Sequence, residues 1–96
     1  MKNHQAYYKV ELREIDALRD SEGNWIWNES YVLADDIIFC EAALTPRTIL
    51  KSLRDWGYLS PASKGRVRVV DEGELIEIQE KSTGRPILAL LLCERY

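Results

Sequence analysis

Residues 45–58 read TPRTILKSLRDWGY, and this stretch decides how the rest of the chain must pack. Thr45 is a capping residue whose side chain can accept from a backbone N–H two or three positions on. Pro46 follows at the first helical position, where a missing N–H costs nothing. Gly57 suits the left-handed residue that ends a helix, and Tyr58 is placed for the hydrophobic contact that accompanies such a stop. Between the two signals, Ile49, Leu50, Leu53 and Trp56 recur at helical spacing and form one apolar stripe. Arg47, Lys51 and Arg54 fall on the other side. The stretch predicts one short helix, docked through Ile, Leu and Trp with three cations outward.

Working outward, the flanking segments carry the period of strands. From Ala6, the residues Tyr8, Val10 and Leu12 alternate with Lys9, Glu11 and Arg13, the pattern of a half-buried strand. Residues 19–24, RDSEGN, form a turn. Residues 25–33, rich in aromatic and β-branched side chains, return as the second strand of a hairpin. Simple alternation puts Trp25, Trp27, Glu29 and Tyr31 on one face, with Ile26, Asn28, Ser30 and Val32 on the other. Trp25, beside the turn, is expected to stay the more exposed of the two tryptophans. Residues 34–44, ADDIIFCEAAL, hold an apolar run too short to fix a period. We expect an extended connector there, with strand and helical turn as alternatives.

Beyond the helix, residues 60–65, SPASKG, are a loop. Residues 66–70 form a strand, with Val67 and Val69 on one face and Arg66, Arg68 and Val70 on the other. Residues 71–74 turn, and Leu75, Glu77 and Gln79 then alternate with Ile76 and Ile78. Residues 81–84 turn again, and Pro86 opens a last strand. That strand, residues 87–93 or ILALLLC, is apolar on both faces, so it is central or lies under a dimer contact. The order β-β-α-β-β-β defines a single α+β domain over residues 1–96, a two-layer fold with an antiparallel sheet of about five strands and one helix on one face. Residues 1–5 are expected to fray. The expected core is Tyr8, Val10, Leu12, Ile49, Leu50, Leu53, Trp56, Val67, Val69, Ile76, Ile78, Leu88 and Leu90.

Composition narrows the function classes. A chain of 96 residues with 46% hydrophobic residues and three tryptophans can bury one core,. No apolar run reaches the length of a membrane span, and residues 1–10 lack an apolar signal segment. The chain is expected to be cytoplasmic, with no membrane partner. Cys40 and Cys93 are too few and too isolated for a structural metal site, and both read as small buried residues in strands. The lone histidine, His4, stands in the fraying start. No glycine-rich phosphate loop and no nucleophile elbow is present. Asp35 and Asp36 are adjacent, so in extended chain they point apart and cannot share a proton-transfer site. No enzymatic activity, cofactor, metal or small-molecule substrate is expected.

The net charge of −3 is unevenly spread: residues 1–43 sum to −5, residues 44–68 to +5 and residues 69–96 to −3,. Two candidate surfaces follow. The first is an anion or nucleic-acid face of Arg47, Lys51, Arg54, Lys64, Arg66 and Arg68. The run from helix 46–56 through residues GYL into a two-stranded wing resembles part of a winged-helix domain. That likeness covers about a third of the chain, and two strands stand where the preceding helices of such a domain belong. A sequence pI near 5.1 also weighs against nucleic acid, which is the second reading,. The second surface is an acidic hairpin carrying Glu11, Asp20, Glu22 and the aromatic Trp25, with Glu14 and Asp16 beside them, suited to a basic protein partner. In size and charge the chain is similar to small acidic accessory proteins of phages, plasmids and integrons, some of which block a host nuclease by presenting acid where DNA should lie. The preferred reading is a non-enzymatic protein–protein interaction module, an inhibitor or accessory factor of a mobile element of the anti-nuclease or anti-CRISPR type. Self-association into a homodimer through the last strand or an open sheet edge is a further expectation.

Overall fold

The helix forms where its start and stop signals stand. The computed structural model describes residues 6–70 and 74–96. In it, α1 spans Pro46–Asp55, and the Thr45 hydroxyl accepts from the Thr48 N–H at 3.4 Å. At the other end Gly57 adopts φ +83°. The N–H of Tyr58 donates to the Leu53 carbonyl at 2.9 Å and that of Gly57 to the Arg54 carbonyl at 3.0 Å. This double closure satisfies carbonyls the helix would otherwise leave open. The residue the stop turns inward is Leu59, which is buried, and Tyr58 stays exposed.

Five antiparallel strands accompany the helix among the described residues: β1 (Tyr7–Arg19), β2 (Trp25–Cys40), β3 (Gly65–Val70), β4 (Leu75–Glu80) and β5 (Pro86–Arg95). The sheet order is β2-β1-β5-β4-β3. The fold is thus the expected α+β domain, a five-stranded antiparallel sheet with one helix. β5 occupies the centre, as its doubly apolar sequence requires. Leu88 and Leu90 join Val10, Leu12, Ile76 and Ile78 beneath Ile49 and Leu53 of the helix. Gly65 opens β3 at the closest approach of the helix: a Cβ there would lie 2.9 Å from Leu50 Cδ2.

Several expectations are corrected. Residues 34–40 are strand, not connector: β2 runs to Cys40, and a 3-10 turn at Glu41–Ala43 leads to the helix. Register masks the period of this strand. The 16 residues of β2 lie against the 13 of β1. The excess is taken up at irregularities opposite the Val10–Leu12, Leu12–Arg13 and Asp16–Ala17 steps of β1. Each inserts one residue and flips the alternation after it. Trp56 is 46% exposed, not core, because it is the helix C-cap; Phe39 takes the buried place, its ring 5.5 Å from the indole. Val69 is 62% exposed on the edge strand, whereas Val67 packs against the core. Cys93 is exposed because it lies past the Leu75–Leu91 pair where β4 ends; Cys40 is half-buried. The fraying expected at residues 1–5, with His4, lies outside the described residues, as does most of the 71–74 turn.

The irregularities also bend the β1–β2 hairpin. In sheet order β1 and β5 lie between β2 and β4, so a flat sheet would hold β2 and β4 about 14 Å apart. Yet the Trp27 indole N–H donates to a Glu77 carboxylate oxygen on β4 at 2.9 Å. The Trp25 indole donates to the Thr83 carbonyl in the β4–β5 turn at 3.1 Å. The distal half of the hairpin therefore curls over the sheet face away from the helix. Under this arm a second small core collects Ile15, Ala17 and Ala89, with Trp25 and Leu75 packed against it. Helix and arm cover opposite faces of the same sheet.

Candidate functional site

The arm and β3 wall a cleft of about 690 Å³. Its floor comes from β4, where strict alternation sends Ile76 and Ile78 to the helix and Glu77 and Gln79 to the far face. Both polar residues are buried, at 7% and 5% exposure. One wall is Trp25 and Trp27; the other is Arg66 and Arg68, whose cross-strand partners are Gln79 and Glu77.

A continuous polar chain crosses this floor. Arg66 Nη2 donates to Gln79 Oε1 at 2.7 Å, and its Nε donates to the same oxygen at 3.3 Å. Gln79 Nε2 donates to Glu77 Oε1 at 2.7 Å, and Trp27 Nε1 occupies the other oxygen. Both carboxylate oxygens are thus satisfied, as burial demands. The indole of Trp25 is pinned on one face by the Arg19 guanidinium at 4.3 Å, a cation–π contact,.

The structure does not bring the six cations of the expected anion face together. Arg66 and Arg68 face the cleft, whereas Arg47, Lys51 and Arg54 belong to the helix on the opposite side of the sheet. Lys51 is held by Asp55 at 2.8 Å, and Arg54 is half-buried with its Nη2 on the Ser63 carbonyl at 2.8 Å. Arg47 and Lys64 are exposed. The acidic set is divided as well. Glu11 is paired with Arg13 at 2.5 Å. Asp20 closes the hairpin turn, accepting from the Glu22 and Asn24 N–H groups at 2.9 Å each. Glu22 is exposed at the turn, and Trp25 belongs to the cleft; packed on the second core, it is less exposed than Trp27, the reverse of the expectation. Asp35 and Asp36 are exposed on β2. Among the described residues no group of three His, Cys, Asp or Glu side chains could hold a metal, and no helix is long and apolar enough to cross a membrane.

A second acidic surface lies on the outer face of the arm. The extra residue at Asn28 separates Trp27 from Glu29, so Trp25 and Trp27 enter the cleft while Glu29 and Tyr31 point outward. The outer face of the arm then gathers Glu14, Asp16 and Leu18 from β1 with Ile26, Glu29 and Tyr31 from β2. Asp16 and Glu29 are direct cross-strand partners, a like-charge pair that costs stability,. Asn28 Nδ2 eases it by donating to Asp16 at 3.1 Å. Leu18, Ile26 and Tyr31 are all exposed around these acids. No local pattern marks this face, because one inserted residue creates it.

Tyr31 reports on the charge there. Its hydroxyl donates to the Glu29 carboxylate, and that bond, the Glu29 charge and the charges of Asp16 and Glu14 hold its pKa above the ordinary 10.0. A raised value means the bond is complete below pH 10.0 and is lost as pH rises through the folded-state value,. Tyr96, donating to Glu94 at 2.7 Å, behaves alike. In a spectroscopic phenolate titration, Tyr31→Phe is expected to remove one group ionising above the ordinary tyrosine range; an unchanged high-pH phase would contradict the contact.

Comparison of the chain with known protein families, with curated proteins and with solved structures finds no match.

Proposed function

We propose that the protein is a non-enzymatic interaction module whose outer arm face docks a basic segment of another protein. The observation that carries this reading is the like-charge pair Asp16–Glu29 set among exposed Leu18, Ile26 and Tyr31. Two carboxylates forced side by side cost stability in the free protein. A lysine or arginine brought between them relieves that cost, so the pair is more favourable in a complex than alone. The apolar neighbours supply the contact area that charge lacks, and the charges steer association. β2 is also an edge strand, with no further strand beside it among the described residues, an arrangement that suits an extended partner chain,. An inhibitor or accessory factor of the anti-nuclease kind would use such a face, since it offers acid to a protein surface built for phosphate.

Selection from a displayed random-peptide library tests this. Enrichment of segments alternating Lys or Arg with apolar residues is expected. The double variant Glu14→Lys/Glu29→Lys should weaken the selected peptides about tenfold or more. No enrichment, or enrichment indifferent to the reversal, would sink the proposal.

A further inference from the structure

We infer that the cleft on the inner side of the arm binds a nucleotide unit, its base against Trp27 and its phosphate on Arg68 and Arg66. The volume of about 690 Å³ lies within the range of small-ligand sites,. Both wall tryptophans have their N–H groups committed, Trp27 to Glu77 and Trp25 to Thr83. The rings are therefore fixed in place, and Trp27, the more exposed of the two, offers a π-face, the surface on which bases stack with little regard to sequence,. Pinning them in advance lowers the ordering cost of binding.

The opposite wall supplies the anion site. Arg68 faces Glu77 across the β3–β4 ladder, but both Glu77 oxygens are taken by Trp27 and Gln79. Arg68 consequently makes no hydrogen bond or ion pair among the described residues and keeps its planar fork of donors, the geometry that phosphate accepts. Arg66 is oriented by Gln79 through Nε and Nη2, which leaves Nη1 for a ligand. Gly84 lines the same cleft beside Arg66 and holds φ +76°, a conformation glycine adopts without strain,. Two guanidinium groups against one carboxylate make the cleft cationic on an acidic protein. A duplex keeps its bases stacked inside and offers nothing to Trp27. The unit recognised is thus a free nucleotide or one residue of a single strand.

The test is a titration of the full chain with AMP and, separately, with an oligo-dT strand, read on the indole N–H resonances of its three tryptophans. Shifts confined to Trp25 and Trp27, with Trp56 unmoved, are expected. Arg68→Gln should weaken binding about tenfold. Trp27→Ala should weaken it about tenfold to a hundredfold, and Trp27→Phe, which keeps a stacking face, by less. Reversal of Arg47 and Lys51 on the helix should leave it unchanged. Response to AMP assigns the site to free nucleotides; response to the strand alone assigns it to single-stranded nucleic acid. The inference is overturned if neither ligand moves the Trp25 and Trp27 signals at low salt. It is equally overturned if Arg68→Gln binds as well as the parent, or if an acidic peptide moves those signals and both nucleotide probes fail.

Discussion

Truncating Leu53 to alanine is expected to destabilise the domain by about 2–5 kcal/mol, enough to unfold much of a small protein. Leu53 is fully buried, and it sits where the helix stripe meets Val10, Leu12, Ile78 and Leu90 of the sheet. Removing its branched end leaves a cavity walled by strands that pair on both sides and cannot close in. Trp56→Ala is the informative partner experiment. Trp56 is a larger residue on the same stripe, yet it is 46% exposed, with its ring beside that of Phe39. Its loss should cost only about 1 kcal/mol, in the range of an aromatic pair. Urea denaturation of both variants checks the contrast. Equal losses would mean that the helix docks through a different face.

The second large effect lies on the other side of the sheet. Glu77→Ala should cost about 1–3 kcal/mol, since it strands the Trp27 indole and the Gln79 amide without an acceptor. The loss should be local before it is global. Backbone amides of the arm, residues 15–27, are expected to exchange faster with solvent while those of α1 keep their protection. Replacing the whole chain of contacts (Glu77→Leu with Gln79→Leu and Trp27→Phe) should restore most of the stability, because no buried donor is then left over. If Glu77→Ala leaves the exchange of the arm unchanged, the Trp27–Glu77 bond does not hold the arm down.

What the sequence discloses here depends on the range of the interaction. The helix 46–55 is legible because its cap, its proline and its glycine act on neighbours a few residues away. The doubly apolar run 87–93 likewise implies a central position by itself. The curl of the hairpin does not, since an inserted residue is visible only against the strand it pairs with. Asn28 looks like any member of an alternating run until Asp16 and Ala17 are found opposite Glu29 and Trp27. The candidate surfaces fail to read out for the same reason. Arg54 and Arg66 are close in sequence and belong to one basic stretch, but the sheet stands between them. Glu14 and Glu29 are about as far apart in sequence, on separate strands, and share a face.

The order of the strands has a consequence for how the chain reaches this structure. β5 follows the other four described strands along the chain and is the one that joins them. Without it, β1–β2 and β3–β4 are two separate hairpins with no shared edge. An isolated hairpin is at best marginal in water. Pairing β5 with β1 means closing a loop that spans most of the chain, from Glu14 to Leu88, and such closure is slow. Neither half can be stable by itself, so the domain gains its structure in a single late and cooperative event.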